Sequence, residues 1–114
     1  MTLYIVPVPI GNLKDITLRA IETLKKVDFI IVEDTKYSLK LLNHFDIKKP
    51  LFSYYKPKEK EKIAGIIRRL QDNTAALITD SGTPMISDPG YLLVRTAINN
   101  ERMEALRNIK SFRN

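Results

Sequence analysis

The sequence contains no cysteine. That absence excludes disulfides, zinc–thiolate sites, iron–sulfur clusters and a cysteine nucleophile together. No apolar run approaches the ~18–20 residues that a membrane-spanning helix requires, so a helical membrane protein is excluded as well. Met1-Thr2-Leu3 has no basic segment before its apolar residues and does not read as a secretory signal. The expected location is therefore cytoplasmic. Glycine is sparse, at four residues. Neither G-x-G-x-x-G nor G-x-x-x-x-G-K-[ST] occurs, so the dinucleotide fingerprint and the phosphate-binding P-loop both fail.

What is present is an ordinary globular composition. The chain has 114 residues, 44% hydrophobic and 28% charged, which suits one folded domain and not a disordered segment. Nineteen Lys and Arg against thirteen Asp and Glu give a net charge of +6. The excess is local. Eight basic residues stand between Lys48 and Arg69, opposed only by Glu59 and Glu61, and the rest of the chain is neutral. Such a window reads as a surface for a phosphate backbone, with Lys56, Lys58, Lys60 and Lys62 at its centre. It reads equally as a solvated loop and an outer helix face. Charge alone does not decide.

Strand-like and helix-like segments alternate from end to end. Leu3-Tyr4-Ile5-Val6 is a β-type run stopped by Pro7 and Pro9. Ile16, Ala20, Ile21 and Leu24 share one face of a helix expected from Asp15 to about Lys26. A second strand, Phe29–Val32, precedes a helix over Thr35–Phe45, and Leu51–Tyr54 reads as a short third strand. Ile63, Ile66, Ile67 and Leu70 follow the i, i+3, i+4, i+7 rule throughout a third helix. Ala75–Ile78 is a fourth strand. Asp88-Pro89 then suits an N-cap and first helical position, with Tyr91, Val94 and Ile98 as the stripe of a fourth helix. This pattern predicts a parallel sheet of about five strands with helices on both faces. In such sheets ligands bind beyond the carboxyl ends of the strands.

Three loops occupy those ends. They are Pro7-Val8-Pro9-Ile10-Gly11-Asn12-Leu13, then Glu33-Asp34-Thr35, then the eleven residues from Asp80 to Gly90. Two carboxylates ending a buried strand are costly unless something uses them. Asp34 is the better candidate to touch an acceptor or activate its hydroxyl; the competing reading is that Asp34 or Thr35 caps the second helix. Asp88 reads as a cap and His44 carries no assigned role. Tyr54 and Tyr55 precede the lysines and are read either as base-stacking groups or as strand packing.

LYIVPVPIGNLKDITLRAIETLKKVDFIIVEDTKYSLKLLNHF, followed by LITDSGTPMISDPGYLLVR, closely resembles the tetrapyrrole methylase superfamily, and within it the branch acting on ribosomal RNA. The resemblance covers roughly residues 3–98. It implies an S-adenosyl-L-methionine-dependent enzyme that methylates the ribose 2′-oxygen of a cytidine in small-subunit ribosomal RNA. It also implies a two-domain homodimer with the cofactor between its domains, and a sheet order 3-2-4-1-5.

By the resemblance, Pro9, Ile10, Gly11 and Asn12, with Asp80, Ser81, Gly82, Thr83 and Pro84, line the cofactor cleft. Glycines there permit close backbone approach, and prolines stiffen the loops and leave neighbouring carbonyls oriented. The competing reading is two tight structural turns. Thr83 stands where many members carry an Asp, and Tyr55 where a histidine often follows the first tyrosine. Residues 1–114 are expected to form one α/β domain, the amino-terminal half of such an enzyme. Met103–Leu106 fits a fifth strand, but no P-G-P-S segment follows in these residues, and the reading expects the second domain to be missing from them. A fragment of that kind keeps half a site and is expected to be inactive alone and to self-associate. Two alternatives stay open: a methylase of a tetrapyrrole or other small molecule, and a non-catalytic remnant that binds RNA or a partner.

Overall fold

The computed structural model describes residues 2–9, 11–33, 35–54, 58–80 and 92–101. Strand β1, Thr2–Val8, runs with Val6 and Val8 buried, so its alternation sets one apolar face against the core. Helix α1, Leu18–Lys26, starts where the Thr17 hydroxyl accepts the Ala20 N–H at 3.1 Å. This corrects the expected start at Asp15. Residues Leu13–Asp15 form a separate 3-10 turn, and Ile16 is extended between the two helical pieces. Ile16 still packs on the core beside Ile21.

Strand β2, Phe29–Val32, is buried at all four positions, as a continuous apolar run in the middle of a sheet should be. Helix α2 covers Thr35–His44 and β3 covers Leu51–Ser53. Helix α3, Glu59–Leu70, buries the four residues that its periodicity singled out. Strand β4, Thr74–Asp80, precedes a helix α4 over residues 92–101. In α4 the buried side chains are Leu93, Val94 and Ala97, whereas Ile98 is 44% exposed and leaves the predicted stripe. Tyr91 and Asp88 lie outside the described residues.

All pairings are parallel, in the order β1-β4-β2-β3. This is the expected 3-2-4-1 arrangement. Among the described residues the sheet has four strands, and residues 103–106, read as a fifth, lie outside them. Helices cover both faces. Val6, Val8, Ile30, Val32, Ala76 and Ile78 pack with Ala20, Leu24, Leu41 and Leu42 of α1 and α2 on one side. Phe29, Ile31, Ala75 and Leu77 pack with α3 and α4 on the other. Each fully buried aliphatic side chain contributes about 1.5–3 kcal/mol of hydrophobic stabilisation, so this double cover is what holds the strand ends in place. Among the described residues, no helix is long and apolar enough to cross a membrane.

Candidate functional site

The carboxyl ends of β1, β4 and β2 lie side by side. Val8 is in register with Asp80, and Pro7 with Thr79. Beyond β1, the Pro9 carbonyl accepts a hydrogen bond from the Tyr37 hydroxyl on α2. Gly11 follows with φ +94, a conformation that favours glycine, and a Cβ there would meet nothing within 4 Å. The glycine is thus required by the backbone, and open space lies over it. Asn12 is structural, since its side chain accepts the Lys14 N–H at 3.0 Å and caps the 3-10 turn.

Beyond β2, the Glu33 carbonyl accepts the Ser53 hydroxyl at 3.1 Å, which ties the end of β2 to β3. Thr35 is the first residue of α2. Asp80 closes β4. Ile10, Asp34, Ser81, Gly82, Thr83 and Pro84 lie outside the described residues. One polar group stands out. The Thr79 side chain is 8% exposed and, among the described residues, its hydroxyl has no hydrogen-bond partner. Leaving such a group unsatisfied costs about 1–3 kcal/mol. An orphaned hydroxyl one residue before the end of β4 fits a polar ligand held against the ends of β1 and β4.

The family model of tetrapyrrole (corrin/porphyrin) methylases matches residues 2–112. The chain belongs to this family. A curated relative in Mycoplasmopsis pulmonis, "Ribosomal RNA small subunit methyltransferase I", is 54% identical over 96% of this chain and 50% of its own length. The Haemophilus influenzae protein of the same name is 54% identical over 82% of this chain and 33% of its own. The chain therefore spans between a third and a half of these relatives. Among solved structures, diphthine synthase superposes with a TM-score of 0.64 over 88% of this chain and 41% of that one, at 18% identity. That likeness concerns the fold.

In this tetrapyrrole methylase chain the basic window is not one patch. Lys58 sits at the start of α3, beside the carboxyl ends of the strands, whereas Arg68 and Arg69 end the same helix. Twelve helical residues span about 18 Å. Lys48 and Lys49 precede β3 and so belong to the far end too. There the Arg69 guanidinium lies 4.3 Å from the Phe52 ring centroid, a packing contact. Lys58 is the N-cap of α3, in the left-handed region at φ 65, and its carbonyl accepts the Lys62 N–H at 3.0 Å; Lys60 and Lys62 lie in the first turns of the helix. Lys56 and Tyr55 lie outside the described residues. Tyr54 is 2% exposed and belongs to the core between sheet and α3, which rules out base stacking for it. His44 is exposed at the end of α2, its ring edge-to-face with Phe45 at 4.8 Å.

Sequence reasoning missed Tyr37, Thr79 and the Ser53–Glu33 tie. Tyr37 and Pro9 are 28 residues apart and only the sheet order joins them. Thr79 did leave a trace, as the one hydroxyl that follows the apolar run Ala75–Ile78.

Proposed function

We propose that this chain is the amino-terminal domain of an S-adenosyl-L-methionine-dependent methyltransferase acting on the ribose 2′-oxygen of a cytidine in small-subunit ribosomal RNA. The observation that carries the reading is the 54% identity to a relative of that ribosomal RNA methyltransferase name across 96% of the chain. The placement of the sequence-predicted loops supports it: those of Pro9 and Gly11 and of Asp80 leave adjacent strand ends of the sheet.

When bound, S-adenosyl-L-methionine supplies an electrophilic methyl group on a sulfonium. Pro9, Ile10 and Gly11, with Asp80, Ser81, Gly82, Thr83 and Pro84, hold the cofactor in this proposal. Asp34 is the candidate to orient the acceptor hydroxyl or take its proton. Displacement at a sulfonium methyl depends first on in-line positioning, so a rigid floor under both reactants is the larger contribution of this domain. Lys56, Lys58, Lys60 and Lys62 are the candidates to meet the RNA backbone in this proposal. The working protein in this reading is a cytoplasmic homodimer whose partner is ribosomal RNA or the small ribosomal subunit.

The test uses a chimera in which this chain replaces the matching half of the M. pulmonis relative. It is incubated with unmethylated small ribosomal subunits and labelled S-adenosyl-L-methionine, followed by nucleoside mass spectrometry. Appearance of 2′-O-methylcytidine supports the proposal. Cofactor binding with no RNA product favours the small-molecule alternative, and RNA binding without cofactor binding favours the non-catalytic one.

A further inference from the structure

We propose that Tyr37 is a positioning residue for the cofactor, its hydroxyl fixing the Pro9 carbonyl and so the turn that carries Gly11. The inference rests on the cofactor reading of that turn given above. Pro7 and Pro9 have no N–H, so of the three residues Pro7, Val8 and Pro9 only Val8 brings an amide donor. A segment so poor in donors has to be held through its carbonyls.

At its far side the turn is pinned by Asn12, whose side chain takes the Lys14 N–H and whose carbonyl takes the Asp15 N–H at 3.1 Å. At its near side the hydrogen bond joining Pro9 to the rest of the fold comes from Tyr37. The tyrosine is suited to this role. Its ring packs against the core cluster beneath α1 and α2, and only its hydroxyl has to reach the loop. Its position also matters. With β4 between β1 and β2, the tie runs from the helix after β2 across the mouth of β4 to the loop after β1. Two strand spacings are about 9.5 Å. Tyr37 thereby links the Glu33 side of the sheet end to the Gly11 side. Gly11 sits between two anchors at a positive φ that few other residues tolerate, and freeing one anchor widens the set of conformations the turn visits. A ligand that binds one of them then loses affinity in proportion to its diminished population.

Tyr37→Phe removes the oxygen and keeps the packed ring. In the chimera, titration calorimetry is expected to show S-adenosyl-L-methionine bound about three- to tenfold more weakly by the variant, the effect of one lost hydrogen bond. In steady-state turnover the cofactor KM rises by that factor while kcat at saturation stays close to wild type. Without ligand, amides of residues 11–13 exchange hydrogen faster in the variant, a change that a purely structural tyrosine far from the loop would not produce. Equal affinity in variant and wild type overturns the inference, whether or not exchange accelerates. A wild-type chimera that binds no S-adenosyl-L-methionine overturns the cofactor reading, and this inference falls with it.

Discussion

Asp28 and Thr74 clasp each other across the amino ends of β2 and β4. The Asp28 carboxylate accepts the Thr74 N–H at 2.8 Å and its hydroxyl at 3.1 Å. The Asp28 N–H in turn points at the Thr74 carbonyl at 3.0 Å and the Thr74 hydroxyl oxygen at 3.2 Å. The pair locks two neighbouring strands in register where Phe29 meets Ala75. The backbone N–H of Thr74 is the main reason that the Asp28 carboxyl titrates below its usual value, followed by the Thr74 hydroxyl and, more weakly, Lys49.

A carboxylate whose folded pKa is depressed contributes stability above the unfolded value of about 3.9, and loses it as pH falls through the folded one. Asp28→Asn keeps the shape and removes the charge. At pH 7 the variant is expected to melt below wild type. The gap closes on acidification below about pH 4, as the wild-type carboxylate takes up its proton. Thermal melts from pH 7 to pH 2.5 check this; a gap independent of pH would mean that shape and not charge holds the clasp.

Two glycines are expected to respond in opposite directions. Gly11 has φ +94, where an L side chain costs about 1–2 kcal/mol, so Gly11→Ala lowers the melting temperature even though no atom lies within 4 Å of the new Cβ. Gly65 lies inside α3, and a Cβ there meets only Arg68 Nη2 at 3.7 Å, an ordinary contact. Gly65→Ala therefore stabilises by about 0.5–1 kcal/mol, or roughly 3–5 °C. Calorimetric melts of both variants decide the matter.

The strands and α3 were legible because apolar periodicity and burial coincide: Phe29–Val32 and the Ile63–Leu70 stripe are core in sequence and in space. The parallel arrangement followed from their alternation. Local geometry was harder. The periodicity of Ile16 with Ala20 and Leu24 suggested one helix, but Asp15 is taken up in the 3-10 turn, Ile16 is extended, and the Thr17 hydroxyl caps α1. Ile98 has helical spacing from Val94 yet faces away, because Leu93 and Ala97 meet the sheet. The basic window failed as a patch for a topological reason. A helix between two parallel strands carries its two termini to opposite ends of the sheet, so residues adjacent in sequence part company. The strand ends from which the loops leave were legible, but the anchors Tyr37 on Pro9 and Ser53 on Glu33 join residues far apart in the chain.

That separation of charge makes the lysines testable by position. Lys58 and Lys62 stand at the start of α3, at the carboxyl end of the sheet. Replacing both by glutamine in the chimera is expected to weaken binding of a small-subunit RNA fragment and to reduce the slope of log K against log salt by roughly 1–2. Lys60→Gln, which removes one charge and not two, changes the slope less, and neither substitution alters S-adenosyl-L-methionine affinity. Filter binding at several salt concentrations measures this, and equal slopes for all variants would leave the lysines as a solvated surface.

Thr79 offers the sharpest separation of stability from binding. Its hydroxyl is buried without a partner among the described residues, in register with Pro7 and one residue before Asp80. Valine has nearly the same shape and nothing to satisfy. Thr79→Val should therefore raise the stability of the ligand-free chain, by up to the ~1–3 kcal/mol that an orphaned polar group costs. If the hydroxyl is kept because a ligand or its bound water completes it, the same change lowers S-adenosyl-L-methionine affinity. A roughly three- to tenfold loss corresponds to one hydrogen bond. A higher melting temperature together with weaker binding identifies a group retained for function at the expense of the fold. A higher melting temperature with unchanged binding assigns the hydroxyl to no ligand. A lower melting temperature shows that Thr79 already has a partner in the free chain.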